Sequence, residues 1–292
     1  MENNIKYVSA PFIEKISSNE IEQKDNFNSY SSLFIYEEKV YKIYEDCFDK
    51  VKYNLEILKL LLKYKVYLKN IKELVLPEQL LSYKGHIIGF IMPYIKGNTL
   101  YDIINSKSYS TEYIKTIFIK IVKSIDKLNE LPFKISLSDL HEKNVIVDAD
   151  NNIHLIDCDG FSINNKQMIS DGKIVLGKYL NKQDDEELKN IGISGDYYCL
   201  FCMILNYIFE NKYERELDFE GIIKYIDDEY LNNLYKRTLN LKSFKLTKND
   251  IDMLFSKIEF YRKRYKDYSD RNKELLEQEL LRIRKIIRNQ IQ

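Results

Sequence analysis

Three polar residues near the middle of the chain have the side-chain types that phosphoryl chemistry requires. Asp139, Asn144 and Asp157 lie in and just after the segment Ile135-Ser-Leu-Ser-Asp-Leu-His-Glu-Lys-Asn-Val-Ile-Val147. Phosphoryl transfer needs divalent cations against the phosphates and a carboxylate near the attacking hydroxyl, and hard cations prefer oxygen ligands such as Asp and Asn. We therefore expect Asp139 to orient or deprotonate a hydroxyl, and Asn144 and Asp157 to hold Mg²⁺ or Mn²⁺. The alternative is a turn-rich hairpin with solvated side chains.

A short hairpin is predicted to position these three residues. Val145-Ile-Val147 and Ile153-His-Leu-Ile156 are apolar runs joined by the turn-rich segment Asp148-Ala-Asp-Asn-Asn152. Such runs separated by turn residues are typical of paired strands. Asn144 would precede the first strand and Asp157 would follow the second, at opposite strand ends of the hairpin.

The N-terminal part supplies a cation and a candidate partner for it. Alternating runs at 32–36 and 40–44 predict a hairpin that carries Lys42 on its second strand. A helix is predicted from about residue 49 to 67, because apolar residues recur there at intervals of three and four residues. Its stripe comprises Val51, Leu55, Leu58, Leu62 and Val66. Glu56 is the only acidic residue between Lys50 and Lys72, and a cation on a buried strand needs a partner. We expect Glu56 to pair with Lys42; a chance glutamate on a lysine-rich surface is the alternative.

These residues resemble the protein-kinase-like superfamily. Its catalytic loop is D-x-x-x-x-N, matched by Asp139-Leu-His-Glu-Lys-Asn144, and its metal-binding Asp follows that Asn by thirteen residues, as Asp157 does. Val40-Tyr-Lys-Ile43 resembles the V-A-I-K motif of the third strand. The resemblance covers about residues 30 to 210. It implies an ATP- and Mg²⁺-dependent phosphotransferase in which Lys42 contacts the α and β phosphates and Glu56 holds Lys42.

The resemblance also implies the architecture. The expected fold is α+β and two-lobed, like that of protein kinases, with a small antiparallel sheet and one helix in the N-lobe (1–95) and a mainly helical C-lobe (96–292). The C-lobe would contain the catalytic hairpin (139–157) and a C-terminal helix (272–292).

Further site residues follow from the same resemblance. The segment Ile91-Met-Pro-Tyr-Ile-Lys-Gly-Asn-Thr-Leu100 is similar to the hinge, so adenine would bond to the backbone of Pro93 and Ile95. Met92 would lie at the back of the nucleotide pocket and Ile146 beneath the base. His141 would touch the γ-phosphate or be a half-exposed loop histidine, and Asp196 would brace the backbone of the catalytic loop.

Four departures from the family pattern leave the acceptor open. No G-x-G-x-x-G precedes Lys42, and Leu137-Ser138 replaces the usual His-Arg pair, so control by a phosphorylated activation loop is not expected. Asp157-Cys158-Asp159 replaces Asp-Phe-Gly; Asp159 is expected to cap a turn, with metal binding as the alternative. Residues 161–195 contain no Ala-Pro-Glu. A protein serine/threonine kinase of bacterial type is the first expectation, with a small-molecule kinase of the aminoglycoside or choline type and a nucleotide-binding pseudokinase as alternatives.

The charge composition argues against nucleic acid and membrane surfaces as partners. Among 292 residues, Lys+Arg and Asp+Glu both total 45, so no basic footprint for nucleic acid or a membrane surface exists. The N-terminal residues lack a leader pattern, and we expect a cytoplasmic protein with reduced cysteines. Cys199 and Cys202 are expected to be core residues. The C-terminal helix is expected to pack on the body of the domain, with self-association as the alternative.

Overall fold

The computed structural model describes residues 4–18, 31–44, 48–164, 192–210 and 219–291, and over these ranges the chain is α+β. A five-stranded mixed sheet occupies the N-terminal part and the C-terminal part is mostly helical. The strands are β1 (Ile5–Tyr7), β2 (Ser31–Tyr36), β3 (Lys39–Tyr44), β4 (Gln79–Tyr83), β5 (His86–Pro93), β6 (Gly97–Thr99), β7 (Ile135–Ser136), β8 (Val145–Asp148), β9 (Ile153–Leu155) and β10 (Ser162–Ile163). The helices are α1 (Ala10–Ser17), α2 (Phe48–Leu68), α3 (Leu100–Asn105), α4 (Thr111–Asn129), α5 (Ile193–Ile208), α6 (Phe219–Ile226), α7 (Glu229–Thr238), α8 (Lys248–Ser256) and α9 (Ile258–Ile291).

The N-terminal sheet places Lys42 on a strand with neighbours on both sides. The strand order is β1-β4-β5-β3-β2, and β3 pairs antiparallel with both β2 and β5. The β2–β3 hairpin is confirmed; both turn residues, Glu37 and Glu38, have positive φ, as a two-residue hairpin turn requires. A Cβ on Gly89 would lie 2.0 Å from the carbonyl oxygen of Lys42, so glycine is needed where β5 passes Lys42. The expectation of a wholly antiparallel sheet is wrong, because β1 pairs parallel with β4.

Helix α2 is amphipathic, and most of the described part of its predicted stripe faces the core. Leu58 is buried, and Leu55 and Leu62 are partly buried against the core. Val66, near the end of the helix, is 67% exposed. The predicted helix is therefore confirmed, and its predicted stripe is confirmed at Leu55, Leu58 and Leu62 and wrong at Val66.

The helical part is built on two buried helices. The predicted stripe of α4 is confirmed, since Ile114, Ile117, Ile121 and Ile125 are all at most 2% exposed. Helix α5 packs against α4 and is buried along nearly its whole length, including Cys199 and Cys202 as free thiols. The expectation that these cysteines are core residues is confirmed.

Two small sheets connect the helical part to the residues of interest. The predicted hairpin is present as β8 and β9, and β6 pairs with the other edge of β8. Strand β10, which follows Asp157 closely, pairs antiparallel with β7, which precedes Asp139. The two segments that contain Asp139 and Asp157 are thus tied together by backbone hydrogen bonds.

The C-terminal helix is longer than predicted and only its first part is packed. Ile258 and Tyr261 of α9 are buried, whereas residues 271–281 are exposed throughout. Leu276 is 57% exposed and Leu280 is 45% exposed, so the expectation that residues from 272 onward pack on the body is wrong for these positions. Self-association through this helix stays a prediction. Within the described ranges, no helix combines the length and apolar content needed to cross a bilayer.

Candidate functional site

Lys42 ends in a cluster of carboxylates where the sheet meets the helical part. Its side chain is 12% exposed, and its ammonium nitrogen Nζ lies 2.5 Å from Oδ1 of Asp157 and 2.9 Å from Oδ1 of Asp159. Strand β3 and the segment after β9 are more than a hundred residues apart in sequence. The ion pairs therefore join the N-terminal sheet to the turn after β9.

The turn after β9 brings both carboxylates to Lys42. Asp157 adopts a left-handed conformation with φ 63° and ψ 46°, and a short 3₁₀ turn over Cys158–Gly160 follows it. This reversal returns Asp159 to the same side, where it is 2% exposed and its Oδ2 accepts a hydrogen bond from the Tyr44 hydroxyl at 2.7 Å. Asp159 is thus part of the cluster itself. These contacts with Lys42 and Tyr44 go beyond the expected turn cap, and metal binding by Asp159 stays the alternative prediction.

The electrostatics of the cluster are governed by burial and by Lys42. Burial opposes the ammonium, but the charges of Asp157 and Asp159 outweigh it and raise the pKa of Lys42. Burial also acts against the Asp157 carboxylate, yet Lys42 is close enough to lower the pKa of Asp157. Burial together with the neighbouring Asp157 charge raises the pKa of Asp159. Lys42 is therefore held in its charged form.

In the structure Lys42 pairs with Asp157 and Asp159, and the expected partner was Glu56. Among the described residues, the ion pairs of Lys42 are with Asp157 and Asp159, and Glu56 is exposed on α2. Glu56 is two positions from buried Leu58, which places the two side chains about 200° apart around the helix. Because α2 turns its apolar face to the core, the face that carries Glu56 points away from it.

The loop that contains Asp139 and Asn144 lies next to the Asp157 turn. The side-chain amide Nδ2 of Asn144 donates to the Asp139 carbonyl oxygen at 3.0 Å, and the Asn144 carbonyl accepts from the backbone N–H of Ile156 at 3.0 Å. A Cβ built on Gly160 would lie 3.5 Å from Cβ of Asp139. These contacts bring Asp139, Asn144 and the Asp157 turn together, as the sequence predicted.

A buried aspartate fixes the backbone just before Asp139. The carboxylate of Asp196, at the start of α5, accepts from the backbone N–H groups of Leu137 at 2.8 Å and Ser138 at 3.0 Å. Ser138 has φ 60°, a left-handed conformation that costs a non-glycine residue energy and needs such support. The predicted contact of Asp196 with the backbone of the loop before Asp139 is confirmed.

Replacing Asp196 by alanine should destabilise the protein and loosen this loop. Two buried N–H groups would lose their acceptor, and each such loss costs about 1–3 kcal/mol, so we expect roughly 3 kcal/mol in the free energy of unfolding. Denaturant unfolding measures this cost. Asp150→Ala, in the exposed β8–β9 turn, is the matched control and should change stability by less than about 0.5 kcal/mol. Equal effects of the two substitutions would contradict the brace.

The same carboxyl group predicts a pH dependence. Burial raises the pKa of Asp196 to about 7, although the N–H groups of Leu137 and Ser138 act in the opposite direction. With the folded-state pKa above the unfolded value of 3.8, the contribution is fully present below pH 3.8 and is lost as the pH rises through about 7. The stability of Asp196→Asn should therefore fall less between pH 5 and pH 8 than that of the wild type.

The residues expected to surround a nucleotide lie along β5, β6 and β8. Met92 is buried and pairs with Val40 on β3, whereas Pro93 and Ile95 are half-buried. Ile146 is half-buried on β8, directly opposite Thr99 of β6. Residues 97–99 therefore lie beside the strand that carries Ile146, and binding of adenine by Pro93, Ile95 and Ile146 stays a prediction.

His141 lies beside the proposed catalytic carboxylate. Its side chain is 26% exposed, and its Nε2 is 3.9 Å from Oδ2 of Asp139. Its other ring nitrogen, Nδ1, accepts from the backbone N–H of Lys143 at 3.3 Å. This half-buried position is compatible with either role expected for His141.

The donor set fits a hard divalent cation. Asp139, Asn144 and Asp157 offer carboxylate and amide oxygens, and Mg²⁺ is usually held by one or two carboxylates together with substrate phosphates. The part of the chain that the structure describes contains no group of three or more His, Cys, Asp or Glu residues arranged around one ion. Asn144 and Asp157 are the residues that would hold the metal.

The sequence pattern does not single out Tyr44, and it predicts a turn cap or a metal ligand at Asp159. In the structure Asp159 contacts Lys42 and the Tyr44 hydroxyl contacts Asp159. Tyr44 lies two residues after Lys42, so the two side chains share one face of β3. This spacing could have indicated that Tyr44 lies near the end of the Lys42 side chain. The burial of Asp159 depends on the geometry of the turn after Asp157, which the sequence does not show.

Comparison with known proteins adds no relative to this description: no protein-family model matches the chain, and no curated protein matches it.

Proposed function

We propose that the protein is an ATP- and Mg²⁺-dependent phosphotransferase with a protein-kinase-like fold, which moves the γ-phosphate to a hydroxyl group. The observation that carries the proposal is the ion pair of the largely buried Lys42 with the partly exposed Asp157, beside the loop of Asp139 and Asn144. A cation, a metal-binding carboxylate and amide, and a further carboxylate are the groups that this reaction uses. Here they converge from distant parts of the sequence.

Each residue has a distinct role in this proposal. Lys42 binds and orients the phosphates, and Asn144 and Asp157 hold the metal, which supplies positive charge against the transferring phosphoryl group. Asp139 accepts the proton of the attacking hydroxyl and aligns its oxygen with the γ-phosphate. Asp196 keeps the loop of Asp139 in place through the backbone of Leu137 and Ser138. Catalysis is then mainly positioning and electrostatic stabilisation.

The acceptor is a protein serine or threonine, or else a small hydroxyl compound. Residues 165–191, which would include much of a peptide-docking segment, lie outside the described ranges. Residues 25–30, where the family's glycine-rich loop is replaced, also lie outside them. The acceptor is therefore a matter for direct assay.

Nucleotide binding is the first test of this proposal. ATP with Mg²⁺ should raise the melting temperature of the wild type, and Lys42→Met should bind ATP more weakly because the phosphates lose their cation. Calorimetry gives both affinities, and the circular dichroism spectrum of Lys42→Met should match that of the wild type. Absence of a thermal shift and of calorimetric binding at millimolar ATP would remove the proposed function.

A further inference from the structure

The further inference concerns Asp159, the second carboxylate of the cluster. Its side chain is 3% exposed; one oxygen lies 2.9 Å from Lys42 Nζ and the other accepts from the Tyr44 hydroxyl at 2.7 Å. Lys42 and Tyr44 project from the same face of β3. Together they hold a single carboxylate from the turn after β9, so both of its oxygens are engaged by one strand.

The two carboxylates that contact Lys42 are not equivalent. Asp157 is 32% exposed, whereas Asp159 is almost fully buried. A metal-binding carboxylate must face the phosphates, and Asp157 has the accessible position. A buried ammonium still needs a negative partner, since an unpaired buried charge is strongly destabilising. When Asp157 binds metal, Asp159 remains as the counter-charge of Lys42.

We propose that Asp159, fixed by Tyr44, is the positioning residue that aligns Lys42 for phosphate binding, in the place where Glu56 was expected. This inference rests on the proposed function, because it assigns a task to Lys42. Its consequence is that alignment of Lys42 depends on contact between β3 and the turn after β9. The orientation of α2, which carries the exposed Glu56, does not control it.

A thermal double-mutant cycle tests the pairing without any nucleotide. Asp159→Asn should lower the melting temperature of the wild type by about 5 °C, because buried Lys42 loses a partner. In a Lys42→Met background the same substitution should lower it by less than about 1 °C, or raise it, because it then removes an uncompensated charge. Glu56→Gln should have no more than about a 1 °C effect in either background. Equal losses from Asp159→Asn in both backgrounds, or coupling of Lys42 to Glu56 instead, would overturn the proposal.

A nucleotide-binding arm tests the positioning role. Asp159→Asn should weaken ATP binding about tenfold or more, both with Mg²⁺ and with EDTA, since it acts through Lys42. Tyr44→Phe should weaken binding in the same direction, and should add little to Asp159→Asn. Tyr36→Phe, which removes a hydroxyl at the edge of the sheet that bonds Lys15, is the control and should leave affinity unchanged.

The two arms separate the possible failures. Loss of affinity in Glu56→Gln with none in Asp159→Asn would reject the positioning role while the proposed function stands. Absence of ATP binding to the wild type would reject the proposed function and with it the phosphate-aligning role. The thermal cycle would then still decide whether Lys42 is held by Asp159 or by Glu56.

Discussion

Asp157→Ala should abolish the Mg²⁺-dependent part of nucleotide binding. For the wild type we expect ATP affinity to be at least about tenfold higher with Mg²⁺ than with EDTA, since the metal bridges the phosphates and the protein. In Asp157→Ala the two affinities should coincide, because the partly exposed carboxylate that is proposed to bind the metal is gone. Isothermal titration calorimetry with and without the metal measures the difference. The protein should stay folded, since Lys42 keeps Asp159 as its partner.

Two companion variants make this result specific. Asp157 has a left-handed backbone, and asparagine tolerates that conformation better than alanine does, so Asp157→Asn separates loss of charge from backbone strain. Asp159→Asn should lower affinity in both conditions while keeping the Mg²⁺ dependence. If Asp159→Asn removes the dependence and Asp157→Ala keeps it, the metal ligand has been assigned two residues too early.

The local elements could be predicted because their signals are local. The alternation of apolar and polar residues at 32–44 predicted the β2–β3 hairpin, and the helical spacing of apolar residues in α4 predicted its buried stripe. The turn residues between β8 and β9 predicted that these strands pair. The pairing of β1 with β4 was missed. Both strands are short, their paired residues such as Ile5 and Leu80 are far apart in sequence, and no hairpin turn connects the two strands.

The sequence predicted the site residues whose proximity depends on their spacing along the chain. It did not predict those whose side-chain direction depends on the rotation of a helix or on the geometry of a turn. The β8–β9 hairpin reverses the chain between Asn144 and Asp157, so the turn at Asp157 returns to the loop that contains Asp139 and Asn144. The pairing of Glu56 with Lys42 was expected because Glu56 lies next to the apolar stripe of α2, but successive residues turn about 100° around a helix axis and Glu56 is exposed. The contact of Asp159 with Lys42 was not predicted, because it depends on the left-handed turn at Asp157, which directs Asp159 inward. A turn-rich sequence does not reveal that direction.

Asp139→Asn should separate turnover from binding. Asp139 is the carboxylate that the loop, braced by Asp196 and Asn144, presents next to the Asp157 turn. Asparagine keeps its shape and removes the charge that accepts the hydroxyl proton. Loss of a general base typically costs 10²- to 10⁴-fold, so we expect phosphoryl transfer to fall by about that factor while ATP affinity changes little. Radiolabelled ATP should be supplied with the protein itself, a generic protein acceptor and a panel of small hydroxyl compounds.

The outcome distinguishes an enzyme from a pseudokinase. Asp150→Asn, in the exposed β8–β9 turn, is the matched control and should transfer phosphate at the wild-type rate. A fall in transfer by Asp139→Asn alone, at equal ATP affinity, supports an enzyme and identifies its acceptor class from the panel. If the wild type and Asp139→Asn are equally inert toward every acceptor and both still bind ATP, the carboxylate has no catalytic task. The cluster of Lys42 and Asp157 would then serve nucleotide binding without turnover.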